Sequence, residues 1–128
     1  MITGVVTADL EAISRLTLRG PTRRERKVEA VVDTGYDGWL TLPPALIARL
    51  RLSYRERGSA ILADGSVSFF DIYEATVLWD RQVRRIAVDE ADTTPLIGMG
   101  LLAGYKLTVQ VRTAGKVTIR LLPKRKGR

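Results

Sequence analysis

The chain contains no cysteine and no histidine. Disulfides, zinc fingers, serine–histidine and cysteine–histidine nucleophile pairs and histidine-ligated metals are therefore excluded. Hydrolytic chemistry would have to rest on carboxylates, lysine, hydroxyls or a carboxylate-held metal. Aromatic residues make up only 6% of the chain, and no aromatic-rich nucleic-acid recognition motif is visible. No apolar run reaches the roughly 18 residues of a membrane span. The N-terminal "MITGVVTADLE" lacks the basic, apolar and small-residue regions of a signal peptide, so cytoplasmic residence without a membrane partner is expected.

What is present suits one globular domain. The 128 residues are 45% hydrophobic, enough for a modest core. We expect one domain over residues 1–123, followed by a basic tail over 124–128. The net charge is +7, with much of the excess in "RGPTRRERK" (Arg19–Lys27) and "KRKGR" (Lys124–Arg128). Such clusters attract polyanions, which keeps open a small β-barrel binding RNA or DNA through its basic patches. A solvated basic surface with a frayed tail is the simpler account and is preferred.

Most of the chain reads with period two. In "VVTADLEA", Val6, Ala8, Leu10 and Ala12 alternate with polar residues, and Leu16 and Leu18 continue the pattern. "KLTVQVRTAGKVTIRLL" predicts a hairpin that turns at Thr113-Ala114-Gly115. Its apolar face would carry Leu107, Val109 and Val111 on one arm and Val117, Ile119 and Leu121 on the other. Asp64-Gly65 marks a second hairpin turn, and Asp80-Arg81 a third. Helix is scarce. "LPPALIARLRL" places prolines at a helix start, with Leu46, Ile47 and Leu50 on one face. "PLIGMGLLAGY" holds one helical turn from about Met99 to Leu102, ended by Gly104. The fold class is therefore all-β: a small domain of short antiparallel strands with one or two short helices, in a closed or half-closed barrel.

One carboxylate stands out. Val31 and Val32 are strand material that delivers Asp33 into Thr34-Gly35. A carboxylate at the end of a buried strand is costly unless hydrogen-bonded or used, and a glycine there permits close backbone approach. Two further features follow in order: the hairpin around "ADGS" and the segment "PLIGMGLL". Asp33-Thr-Gly followed by "WLTLP", this hairpin and this second glycine segment together resemble the retropepsin-like (clan AA) aspartic proteases, over residues from about 28 to 111. An aromatic after Asp-Thr-Gly is similar to some bacterial single-domain members; the viral enzymes commonly have a small residue where Tyr36 stands. The hairpin tip "LADGSV" also lacks their glycine-rich sequence.

The resemblance implies a small closed barrel of antiparallel strands and an aspartic endopeptidase with no cofactor and no metal. Asp33 would be the catalytic carboxylate. Because the chain has a single Asp-Thr-Gly, a homodimer would supply the second. Thr34 would hydrogen-bond across the interface and Gly35 would make close backbone contacts. A peptide or protein substrate would lie extended beneath a flap formed by Ala63, Asp64, Gly65 and Ser66, with Tyr36 and Ile97 against it. Phe69, Phe70 and Leu40 are further candidate walls, and any of these, like Ile97, fits the core equally well. The apolar strands at either end of the chain are expected to find partners at the interface. A dimeric module of the same fold that binds peptide without cutting it is the alternative. Asp37 is read as a turn cap, Trp39 and Trp79 as core or interface, and "DEAD" (Asp89–Asp92) as a solvated acidic turn.

Overall fold

Alternation of side chains across the pleat accounts for most of the architecture. The computed structural model describes residues 1–125; the last three residues of the expected basic tail lie outside them. Among the described residues the elements are β1 (Ile2–Val6), β2 (Ala12–Arg19), β3 (Glu25–Val32), β4 (Leu40–Leu42), α1 (Pro44–Leu50), β5 (Ser53–Ile61), β6 (Val67–Trp79), β7 (Gln82–Glu90), β8 (Leu96–Ile97), α2 (Met99–Leu102), β9 (Tyr105–Val109) and β10 (Lys116–Leu121). No helix is long and apolar enough to cross a membrane.

Six strands close a barrel, as expected for an all-β chain. Around it run β6, β7, β4, β8, β3 and β2, and Thr17–Arg19 of β2 pair back to Thr76–Leu78 of β6. Not every joint is antiparallel. β3 runs parallel to β8, and β4 parallel to β7. Such joints need long crossovers, which local hairpin signals do not reveal. β2 and β6 each serve two neighbours along one edge. The first half of β2 holds β1, and the first half of β6 holds β5.

The alternating residues meet inside the barrel. Leu16 and Leu18 of β2 face Val28 and Ala30 of β3, Val77 and Trp79 of β6, and Ile86 and Val88 of β7. Each large apolar side chain fully buried there contributes about 1.5–3 kcal/mol relative to exposure. α1 begins with Pro44 in its first turn and lays Ile47 and Leu50 on this core, while Leu46 is half-buried beside them. Asp80 (φ 49°) and Arg81 (φ 65°) form the expected two-residue turn between β6 and β7, with the positive φ values that a mirror-image hairpin turn requires.

Three expectations need correction. The alternation from Val6 to Ala12 does not continue as one strand. Val6 and Ala12 face each other across a hairpin, and Leu10 sits at its turn with φ 61° and 58% exposure. The Thr7 N–H donates to the Glu11 carbonyl and the Leu10 N–H to the Thr7 carbonyl. These bonds close the turn despite the apolar side chain. In the last hairpin only the middle rungs are apolar on the inside. Val117 and Ile119 are buried, whereas Val111 and Leu121 are exposed. Finally, the N-terminal strand is not free to pair elsewhere, because β1 lies between β2 and β10. The open edges of the sheet belong to β5 and β9.

Candidate active site

The barrel fixes Asp33 from behind. Val31 and Val32 pair with Leu96 and Ile97 in the parallel β3–β8 joint. The Val31 N–H donates to the Pro95 carbonyl at 2.9 Å, and the Asp33 N–H donates to the Ile97 carbonyl at 2.9 Å. The strand stops there because the chain turns on itself. The Tyr36 N–H donates to the Asp33 carbonyl at 3.2 Å. The Asp33 carboxylate is also held: its Oδ1 accepts the Gly35 N–H at 3.0 Å. Asp33 is half-buried, while Thr34 and Gly35 are exposed at the loop tip.

The "GMG" of the second glycine segment seats α2 on this loop. The amides of Met99 and Gly100 donate to the carbonyls of Tyr36 (2.7 Å) and Gly38 (2.9 Å), and that of Gly98 to Trp39 (3.1 Å). A Cβ on Gly98 would lie 2.1 Å from the Gly38 carbonyl oxygen, and one on Gly100 2.9 Å from it. Both glycines are therefore demanded by close backbone approach, not by an unusual φ.

Tyr36 reaches sideways to the barrel. Its hydroxyl donates to Asp89 Oδ2 at 2.7 Å. Burial raises the phenol pKa well above the usual tyrosine range, and the Asp89 charge adds to this. Burial likewise raises the Asp89 pKa; the Tyr36 hydrogen bond opposes the rise and the Asp37 charge supports it. The Thr41 hydroxyl lies against the same phenol. "DEAD" is thus not a solvated turn throughout. Asp89 and Glu90 end β7 and are half-buried, and only Ala91 and Asp92 are exposed in the turn. Strand residues Leu42 and Glu90 share a register, which an acidic run alone does not signal. Asp37 is exposed, and the turn-capping carboxylate of the loop is Asp33 itself.

The remaining candidates are placed as follows. Ala63, Asp64, Gly65 and Ser66 form the exposed tip of the β5–β6 hairpin. Gly65 has φ 85°, and Asp64 Oδ1 accepts the Ser66 N–H at 2.9 Å. The Ser66 hydroxyl and amide hold the Asp64 carboxyl below its ordinary pKa. Below the tip, Phe69 is exposed with the Arg57 guanidinium 4.4 Å from its ring centre. Phe70 is half-buried, and a Cβ on Gly58 would strike its ring at 2.8 Å. A cleft lined by Phe69, Phe70, Asp71 and Glu90 runs beside this arm, and Asp33 does not line it. Of the residues read as walls or core, Ile97 and Leu40 are wholly buried in the core. The pleat turns the half-buried Leu96 to the opposite face from Ile97. The Ile97 carbonyl holds the Asp33 loop, while its side chain lies in the core. Trp79 is core and Trp39 is partly exposed near Arg84. Among the described residues no three acids gather as metal ligands.

Solved structures share this architecture. EIAV protease complexed with the inhibitor HBY-793 superposes with a TM-score of 0.55, covering 72% of this chain and 85% of that one at 17% identity. A retropepsin-like aspartic protease from Rickettsia conorii superposes with a TM-score of 0.56, covering 91% and 87% at 15% identity. The fold is retropepsin-like. No family model matches the chain, and no curated protein matches it in sequence.

Proposed function

We propose that this chain is an aspartic endopeptidase active as a homodimer, with Asp33 of each copy forming the catalytic pair. The observation that carries this reading is the placement of Asp33. In a fold shared with EIAV protease and a retropepsin-like aspartic protease, its backbone is tied to Ile97 and its carboxylate is aimed by the Gly35 amide. One such carboxylate per chain is half of a dyad. A twofold axis through the loop tip would bring a second Asp33 beside the first. The exposed Thr34 would meet its own copy there, and the free edges of the sheet offer further pairing.

Two adjacent carboxylates cannot both ionise easily, so the pair would share one proton over a range of pH. The ionised member takes a proton from a water held between them as its oxygen adds to the scissile carbonyl. The protonated member donates its proton to the carbonyl oxygen, giving a neutral diol. As the diol collapses, the carboxyl protonated in the first step gives its proton to the leaving nitrogen, the ionised one takes a proton from a diol hydroxyl, and the C–N bond breaks. Neither a covalent intermediate nor a histidine is needed, in keeping with the composition. The substrate would lie extended along the loop as an added strand, covered by residues 63–66.

The experiment is cleavage of a mixed peptide library from acidic to neutral pH, wild type beside Asp33→Asn, with sedimentation of the same samples. Cleavage by the wild type alone, from a dimeric species, supports the proposal. A wild-type dimer that retains peptides intact would replace it with the binding-module reading.

A further inference from the structure

Tyr36 follows Asp33-Thr34-Gly35 directly, and the structure gives its side chain specific partners. Its hydroxyl is bonded to Asp89 at the end of β7. Its ring occupies the space that a side chain on either neighbouring glycine would need: a Cβ on Gly38 would lie 2.3 Å from the phenol oxygen, and one on Gly98 2.7 Å from the ring. Its amide and carbonyl belong to the loop itself, one bonded to Asp33 and the other accepting from Met99. One residue thus joins the Asp33 turn, the start of α2 and a barrel strand 53 positions away in sequence.

We propose that Tyr36 and Asp89 act together as positioning residues, a strut that holds the Asp33 loop at a fixed height over the barrel; the catalytic part of this inference rests on the protease reading above. Besides this strut, the loop is tied to the barrel through the Ile97 carbonyl, the seat of α2 and its own continuation into β4. A dyad requires two carboxylates that both reach a shared water at hydrogen-bond distance, and small misplacements of reacting groups are costly in rate. A strut on one side of each loop would hold both copies of Asp33 in register with the axis. Asp89 serves as an acceptor in this arrangement, and its charge is incidental.

The inference is tested with Tyr36→Phe, Asp89→Ala, the double variant, and Asp89→Asn, which keeps an acceptor oxygen. Steady-state kinetics use a peptide that the wild type cleaves in an Asp33-dependent way. Amide hydrogen exchange followed by NMR is read on the same proteins. In exchange, Tyr36→Phe and Asp89→Ala should accelerate the amides of Asp33, Tyr36 and Met99 about tenfold or more while leaving Leu18 and Val77 of the barrel unchanged. In kinetics, the same variants should lower kcat about tenfold or more, with KM within about twofold. The double variant should be no worse than the worse single, and Asp89→Asn should restore both readouts. The proposal is overturned if the loop amides are unmoved, if kcat stays within about twofold of wild type, or if the two single effects multiply in the double variant. Should the wild type cleave nothing, the protease reading falls, and the exchange measurement alone decides whether the strut exists.

Discussion

The amide of Asp33 and the carbonyl of Ile97 are joined by a 2.9 Å hydrogen bond across a parallel strand pair. This bond lets a two-residue strand, β8, determine where the candidate carboxylate stands. It also makes the Asp33 loop a product of the barrel, so its carboxylate can be altered without disturbing the turn's backbone. Asp33→Asn keeps an oxygen to accept the Gly35 amide. We expect it to retain the unfolding midpoint and to reduce peptide cleavage by about 10²–10⁴-fold. Parallel urea titrations and turnover assays check both halves. An unaltered rate would remove Asp33 from the chemistry.

Gly98→Ala should be far more damaging than its size suggests. The added Cβ would meet the Gly38 carbonyl oxygen and the Tyr36 ring, both parts of the packed loop. A loss of about 1–3 kcal/mol is expected from such overpacking. Gly65→Ala is the control, since open space surrounds that position but φ is +85°. Its cost is conformational, about 1–2 kcal/mol, and falls on the hairpin tip alone. Denaturant unfolding should show a global shift for Gly98→Ala, and local amide exchange should show the change at Gly65→Ala confined to residues 62–66.

Asp89 gives the protein a pH dependence of definite sign. Burial raises its carboxyl pKa in the folded state, so the folded protein binds a proton here more readily than the unfolded chain does. The stabilising contribution is complete below the unfolded carboxyl pKa of about 3.9 and is lost as pH rises through the elevated folded value. Asp89→Asn removes this dependence. The stability of wild type relative to the variant should therefore fall as pH rises from about 3.5 towards neutrality. Urea midpoints for both proteins across that range test it, and a difference that grew with pH would refute the assignment.

The hairpin tip should matter to substrate and little to folding. Asp64 is fully exposed, and its bonds to Ser66 close only the local turn. Asp64→Ala is expected to leave the melting temperature unchanged and to raise KM more than it lowers kcat, because the turn would lose its shape without disturbing the loop that holds Asp33. Thermal melts beside Michaelis–Menten curves decide the matter. A fall in kcat at constant KM would place the tip among the groups acting on the transition state.

Much of the candidate site was legible because its signals are local. Val31-Val32-Asp33-Thr34-Gly35 announces a strand that ends in a carboxylate and a glycine, and Asp64-Gly65 announces a turn. Two prolines announce the start of α1. Asp89 was not legible in this way. It lies in an acidic run whose composition points to solvent, and its partner Tyr36 is brought to it only by the barrel. Ile97 was ambiguous between wall and core for a related reason: neighbouring apolar residues on a two-residue strand give no periodicity from which to tell the inward face from the outward one.

By itself, the sequence determined the all-β class, its main hairpins, and the one place where a strand hands an aspartate to a tight turn. Each of these depends on residues within a few positions of one another, through pleat alternation, positive-φ turns and proline geometry. The tertiary structure alone decided the two parallel joints, the bond from Asp33 to Ile97, the seating of α2 by Gly98 and Gly100, and the link from Tyr36 to Asp89. Those contacts join segments dozens of residues apart. Their geometry is set by how the barrel closes, and closure is a property of the whole sheet that no single stretch of the chain encodes.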